Sequence, residues 1–252
     1  MEILGVYNVK GGVGKTTTAV NLAYRSAADG WRTLLWDLDP QGAATYLLKR
    51  ESKLKGGAKG LIRGDTESPD LIEGTDYSNL EILPSDFSYR RMDAHMLKKK
   101  NPVKQLLRIM KPLQRTHACL IMDCAPGISL VSENILFAAD ALIVPLTPTP
   151  LSVRTLEQLF GFIAKRGWHD LKILPFFSMI DRRKSLHKDM SVALRRDYPI
   201  IMDTEVPYGS TFEQIAVRRA PVETFSPKSE AADVYRRLWA EIDDRLQDAS
   251  PL

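Results

Sequence analysis

The run Ile3-Leu4-Gly5-Val6-Tyr7-Asn8-Val9 and the loop Lys10-Gly11-Gly12-Val13-Gly14-Lys15-Thr16-Thr17 decide the architecture. Residues 3–9 read as a short apolar strand. Residues 16–29 carry Val20, Ala23, Tyr24 and Ala27 at helical spacing, and Gly30 is a fitting stop. A glycine-rich loop between a strand and a helix is suited to hold phosphate. Its glycines let backbone N–H groups converge on phosphate oxygens, and the helix N-terminus adds the positive end of its dipole. In that setting Lys15 reaches the β and γ phosphates, and the Thr16 hydroxyl ligates Mg2+. The common pattern, GxxxxGK followed by Ser or Thr, wants glycine at position 9, where this chain has Val9. The variant KGGxGK followed by Ser or Thr, with Lys10 ahead of the first glycine, fits without gaps.

Outward from this loop, further short runs rich in Val, Ile and Leu lie at 33–37, 80–84, 118–123, 141–146 and 171–180. Continuous apolar runs of this length read as strands buried on both faces, and the segments between them are long enough for crossover helices. The expected fold is a single α/β domain over residues 1–252. It is of the P-loop NTPase type: a mostly parallel twisted sheet with helices on both faces. Residues 229–246 read as a last amphipathic helix with Ala232, Tyr235, Leu238, Trp239, Ile242 and Leu246 on one side. The stretch 49–70 is rich in Gly, Lys and Ser and poor in large apolar residues, and it reads as a surface loop or insertion.

Carboxylates fall where such a sheet would use them. Alternation puts Asp37 and Asp39 on one side of the second strand, at its carboxyl end, where ligands bind in open parallel sheets. The run 118–122 closes on Asp123, four hydrophobics before an acid, the pattern whose aspartate holds Mg2+ directly or through water. The two cysteines, Cys119 and Cys124, are too few and too close for a disulfide framework. They read as small buried hydrophobes.

Residues 10–17, KGGVGKTT, resemble the deviant Walker A motif of the ParA/MinD-type ATPases, and 37–41 resembles that family's DxDPQ segment. The resemblance is strongest at 8–17 and 33–42, fair at 118–127 and 203–240, and absent over 49–75. It implies ATP and Mg2+ as cofactors, bound by Lys10, Gly11, Gly12, Val13, Gly14, Lys15, Thr16 and Thr17. Lys10 would reach across a homodimer to the nucleotide of the other subunit, the work an arginine finger does elsewhere. Asp39 would orient the attacking water, with Asp37 near the Mg2+ shell and Asp123, like Thr16, on the metal. The family usually continues D-x-P-P, whereas this chain has Asp123-Cys124-Ala125-Pro126-Gly127. By resemblance, Met179 and Pro207 lie near the adenine.

Net charge is modest, with 35 Lys+Arg against 31 Asp+Glu, +4 in all, which excludes a histone-like polycation. The distribution is uneven. Residues 98–115 hold Lys98, Lys99, Lys100, Lys104, Arg108, Lys111 and Arg115 with no acid, and 182–196 hold Arg182, Arg183, Lys184, Lys188, Arg195 and Arg196 against Asp189. In the family such residues bind nucleoid DNA nonspecifically through phosphates, and Lys98, Lys99, Lys100, Lys104, Arg108, Arg182, Arg183, Arg195 and Arg196 are the candidates. The start of the chain shows no signal peptide, no apolar run approaches membrane-spanning length, and the last helix ends in Glu241, Asp243 and Asp244 rather than a basic face. The expectation is a cytoplasmic, nucleoid-associated, ParA-type partitioning or positioning ATPase. Its cargo is a plasmid, chromosome region or protein assembly, and a ParB-like or other adaptor stimulates hydrolysis. A membrane-cycling MinD-like regulator is the alternative, and an ATP-dependent amidoligase of the same fold class is a further rival.

Overall fold

Strands without a polar face must be covered on both sides, and the central strands here are of that kind. In the computed structural model, which describes residues 1–51 and 53–247, every residue of β2 (Thr33–Asp37), β5 (Cys119–Asp123) and β6 (Ala141–Leu146) is buried. With β1 (Glu2–Val6), β3 (Glu73–Gly74), β4 (Leu80–Leu83), β7 (Lys172–Ile180) and β8 (Val206–Pro207) they form one eight-stranded sheet, ordered β3-β4-β2-β5-β1-β6-β7-β8. All neighbours pair in parallel except β3 and β4, whose two-residue antiparallel pairing blunts one edge.

Strand alternation sorts the core into two layers. Leu34, Trp36, Leu120 and Met122 point to one face, and Leu35, Ile121, Leu4 and Val6 to the other. The first face is covered by α3 (Gly57–Arg63), α4 (Met92–Met96), α5 (Gln105–Met110), α6 (Leu130–Ala138) and α7 (Pro150–Arg166). The second is covered by α1 (Lys15–Ala28), α2 (Ala43–Leu47), α9 (Ser210–Arg218), α10 (Val222–Phe225) and α11 (Glu230–Gln247). α8 (Ser185–Asp197) follows β7 and buries Leu194, with Met190 partly buried against the core. α6 comes so close to β1 that a Cβ at Gly5 would lie 3.0 Å from a methyl carbon of Ile135. The last helix buries Ala232, Val234, Tyr235, Leu238 and Ile242. Cys119 and Cys124 are free and buried, as small hydrophobes would be.

The segment 49–70 differs from the expected surface loop; Ser52 within it lies outside the described residues. It carries α3, whose Ala58, Gly60, Leu61 and Ile62 are buried. Composition misled because α3 buries small residues and only two large ones. Its tie-down is also nonlocal: Leu54 N–H donates to Asp86 Oδ2 at 3.0 Å and Ala58 N–H to Ser88 Oγ at 2.7 Å. Ser68 Oγ donates to the Ile109 carbonyl at 2.6 Å, closing the segment onto α5.

If 49–70 is structural, Leu61→Ala should lower the unfolding free energy by about 2–5 kcal/mol in urea titration, the range for a fully buried leucine. A loss within about 0.5 kcal/mol, the range for surface substitutions, would return the segment to the status of a loop.

Candidate nucleotide site

The functional side chains converge at the carboxyl ends of β1, β2, β5 and β7. β1 gives way to the glycine-rich loop, whose entry is pinned by Asn8. The Asn8 side chain accepts from Lys10 N–H at 2.8 Å and donates to the Pro145 carbonyl at 2.8 Å, so the loop is fixed to the end of β6. Gly14 precedes α1 at φ 87°, in the left-handed region that favours glycine, and a Cβ there would lie 3.1 Å from Ser178 Oγ. Gly11 and Gly12 have open space around them. Lys15, the first residue of α1, is buried and its ammonium donates to the Lys10 carbonyl at 2.8 Å. Burial pushes its pKa down, while Asp123, Cys124 and Asp39 partly restore it.

Asp123 and Asp39 act on that ammonium, and Asp37 lies beside Asp123. Parallel register places Asp123 at the end of β5 beside Asp37 of β2 and Val6 of β1. Asp123 is fully buried and neither carboxylate oxygen has a hydrogen-bond partner. Burial, then Asp37, raises its pKa well above the ordinary carboxylate value; Thr16 and Lys15 act the other way. Asp37 is buried too but satisfied. Its Oδ2 accepts from Thr45 N–H at 2.8 Å and from Thr45 Oγ1 at 2.7 Å, and its Oδ1 from Asp39 N–H at 3.2 Å. Burial still lifts it to about 6. Thr45 Oγ1 in turn accepts from Ser85 N–H at 2.9 Å, and Ser85 Oγ donates to the Asp39 carbonyl. Thr45 and Ser85 thus hold the backbone on which Asp39 sits. Neither stands out in the sequence, because the tie spans 40 residues.

The residues fit a hydrated Mg2+. Among the described residues no group of three His, Cys, Asp or Glu side chains forms a metal cage. Mg2+ in phosphate sites is held by one or two protein oxygens, waters and substrate phosphates, so no such cage is needed. Asp123, with two unpartnered oxygens beside Thr16, supplies such a donor. Asp37 spends its oxygens on Thr45 and Asp39 and is better placed to orient than to ligate.

The segment after β5 is strapped to the loop. Cys124 N–H donates to the Val6 carbonyl at 3.3 Å, Gly127 N–H to the Val9 carbonyl at 3.0 Å, and the Tyr7 hydroxyl to the Gly127 carbonyl at 3.0 Å. These bonds hold it where Ala125 stands in place of the proline the resemblance led one to expect.

Met179 and Pro207 lie together beside the loop. Met179 has φ 57°, at an irregularity in the β7–β8 pairing, and lines a cavity of about 260 Å³ with Gly14, Thr17, Pro207, Phe212 and Tyr235. Nothing in the sequence marks Phe212 or Tyr235 as a site residue. Tyr235 carried only a core signal, being on the apolar side of the last helix, and it serves both roles.

The basic candidates are treated unequally by the fold. Arg182 pairs with Glu230 at 2.7 Å, Arg183 with Asp181 at 2.8 Å, Arg195 with Glu205 at 2.7 Å and Arg196 with Asp197 at 2.9 Å. Arg108 donates to the carbonyls of Leu61 and Ile62 at the end of α3, and Lys104 lies 5.2 Å over the Phe137 ring. Lys98 and Lys100 are exposed and Lys99 is half-buried.

A glycine-rich loop with a buried lysine, facing an unpartnered aspartate at the carboxyl end of a parallel sheet, defines a P-loop nucleotide-binding protein. The chain belongs to the AAA domain family, which matches residues 1–171, and within it to the ParA/MinD-type ATPases. It is 28% identical to the sporulation initiation inhibitor protein Soj of Bacillus subtilis over 247 residues, 96% of this chain and 98% of that one. It is 29% identical to the chromosome partitioning protein ParA of Myxococcus xanthus, across 99% of this chain and 90% of that protein. Among solved structures it resembles cobyrinic acid a,c-diamide synthase from Mycobacterium smegmatis with bound ADP and magnesium. There the TM-score is 0.83 and the identity 26%, covering 100% of this chain and 98% of that one. Among the described residues no helix is long and apolar enough to cross a membrane.

The buried acids give a pH prediction. A carboxyl whose folded pKa is raised keeps its proton after the unfolded chain has released it, so its contribution to stability falls as pH rises above the unfolded value of 3.8. Asp123→Asn cannot ionise. Without nucleotide or Mg2+, the stability of wild type relative to Asp123→Asn should decline from pH 4 to 7 in urea unfolding. Parallel profiles would show that Asp123 is not held protonated by its surroundings.

Proposed function

We propose that this chain is a ParA-type ATPase that positions a cargo, a plasmid, chromosome region or protein assembly, by cycling on the nucleoid. ATP with Mg2+ occupies the loop, with the adenine in the cavity of Met179 and Pro207. Mg2+ bound by Thr16 and Asp123 supplies charge neutralisation of the β and γ phosphates. Lys15 holds the same phosphates, and Asp39, fixed from behind by Ser85 and Thr45, orients the attacking water. Its Oδ1 already accepts from Gln41 N–H at 2.9 Å, which restrains the carboxylate.

The observation that carries the reading is Lys10. Its backbone N–H is bound by Asn8 and its carbonyl by Lys15, yet its ammonium has no ion pair or hydrogen bond among the described residues. It is thereby available to the nucleotide of a second copy, which makes ATP the glue of a homodimer. The dimer binds DNA nonspecifically, and a ParB-like or other adaptor on the cargo stimulates hydrolysis and release. Against a MinD-like membrane cycle stands α11, whose apolar residues are spent on the sheet and whose last turns carry Glu241, Asp243 and Asp244.

The similarity to the Mycobacterium smegmatis protein favours a second reading, ATP-dependent amide formation on a carboxylic acid. ATP turnover that requires such an acid, and not DNA or a partner protein, would distinguish it.

Lys15→Ala should abolish nucleotide binding in fluorescence titration. Lys10→Ala should bind ATP as wild type does yet stay monomeric by light scattering with ATP, while Asp39→Ala should accumulate as an ATP-bound dimer with turnover reduced at least about a hundredfold. A Lys10→Ala dimer of wild-type strength would remove the sandwich mechanism.

A further inference from the structure

Helix α9 closes on a residue that does not favour the conformation it holds. Helices commonly end in the left-handed region, and glycine is the usual occupant because it has no Cβ to strain. Here Arg219 caps α9 at φ 51° and ψ 54°. A glycine would close the same turn with less strain, so the turn itself does not require arginine. The side chain makes two contacts instead. Its Nε donates to the Tyr46 carbonyl at 2.8 Å, and its guanidinium carbon lies 4.1 Å from the centre of the Tyr46 ring. Both contacts are to one residue of α2. Among the described residues no carboxylate pairs with Arg219, so no ion pair competes for it.

The two helices that Arg219 joins serve different parts of the site. α9 carries Phe212 and Ala216, which line the cavity assigned to adenine. α2 follows directly on Asp39, the residue assigned to the attacking water. Gly42 N–H donates to the Asp39 carbonyl and Tyr46 N–H to the Gly42 carbonyl, each at 2.9 Å, so backbone bonds run from Asp39 to Tyr46. Thr45, the neighbour of Tyr46, holds Asp37 and accepts from Ser85 N–H. α2 has five residues, far below the length that holds a helix by itself. Its position is therefore set by what it packs on. Ala44, Thr45 and Leu47 are buried, while Tyr46 is 54% exposed and meets Arg219 on its outer side.

We propose that Arg219 is a positioning residue for ATP hydrolysis: it fixes α2 against α9 and thereby sets the backbone that carries Asp39. The proposal rests on the role given to Asp39 above and adds the group that places it from the base side of the site. The Ser85 hydroxyl restrains Asp39 from the end of β4, and Arg219 restrains the same segment from α9. A guanidinium suits the task because it donates to a carbonyl and covers a ring at once. Loss of the side chain leaves the end of α9 in place. Ile215 is buried, and its carbonyl accepts from Ala220 N–H at 3.4 Å. Placement of Asp39 is what suffers, not the binding of nucleotide.

The test is Arg219→Gly, which keeps the left-handed turn and removes the side chain. Hydrolysis of radiolabelled ATP by the full chain at saturating ATP should slow about tenfold or more, as small misplacements of a catalytic group do. ATP affinity in fluorescence titration and the urea midpoint should stay at wild-type values. In an Asp39→Ala background, Arg219→Gly should slow hydrolysis no further, because the two residues act as one unit. The neighbouring Arg218, whose guanidinium lies over Phe225 instead, supplies the control: Arg218→Gln should hydrolyse ATP as wild type does. Equal slowing in the control would assign the effect to lost positive charge and overturn the clamp. Wild-type turnover in Arg219→Gly, with Asp39→Ala impaired, would overturn the positioning role and leave the Asp39 reading standing. Unimpaired turnover in Asp39→Ala would overturn that reading and the proposal with it. Weaker ATP binding or a lower urea midpoint in Arg219→Gly, or additive losses in the double variant, would make Arg219 a structural cap and equally overturn the proposal.

Discussion

A carboxylate buried without a partner is among the most expensive features a fold can carry, of the order of several kcal/mol if ionised. Asp123 is such a group, enclosed by β1 and β2 in parallel register with its two oxygens unpartnered. The arrangement makes sense only if a cation is to come there. Lys15 and Thr16 approach from the loop, and Asp37 on the neighbouring strand is turned away toward Thr45 and Asp39. The two-sided core keeps this register rigid, because a slip of one residue would exchange the layers that Leu34, Leu35 and Trp36 separate.

Much of this was legible in the chain. The apolar runs at 33–37 and 141–146 coincide with β2 and β6, and the loop could be read from its glycines and lysines because its chemistry is local. Contacts distant in sequence were not legible. Ser85 supports Asp39 from 46 residues away, and Phe212 faces the cavity with nothing in its own neighbourhood to mark it. The helix α3 was hidden by its composition, since glycine, alanine and lysine read as loop until Leu61 and Ile62 are seen inside the core. Charge counting had the same weakness: 182–196 reads as opposed only by Asp189, because Asp181, Asp197, Glu205 and Glu230, which pair with its arginines, lie beyond the window.

That redistribution alters the meaning of the small net charge. Exposed ion pairs contribute little to stability, about 0–1 kcal/mol each, so the acids opposite Arg182, Arg183 and Arg196 matter less for folding than for silencing positive potential. Bases left without ion pairs among the described residues in a concave site, as around α3 and α4, set a field that falls off over about a Debye length. Near neutrality overall and strong local attraction are therefore compatible, and the former limits nonspecific association elsewhere on the surface.

The two lysines of the loop complete the argument, because they share one peptide. Lys15 donates one of its three ammonium protons to the carbonyl of Lys10, and Asn8 holds the Lys10 N–H. These two bonds hold the loop in shape, and two donors of Lys15 remain for the ligand. Preorganisation of this kind reduces the ordering entropy that binding must overcome. It also sets the base of Lys10 at a fixed point while its side chain stays unpartnered among the described residues. A residue that must act on a neighbouring copy needs both properties: a backbone located by its own subunit and a charge not yet committed to it.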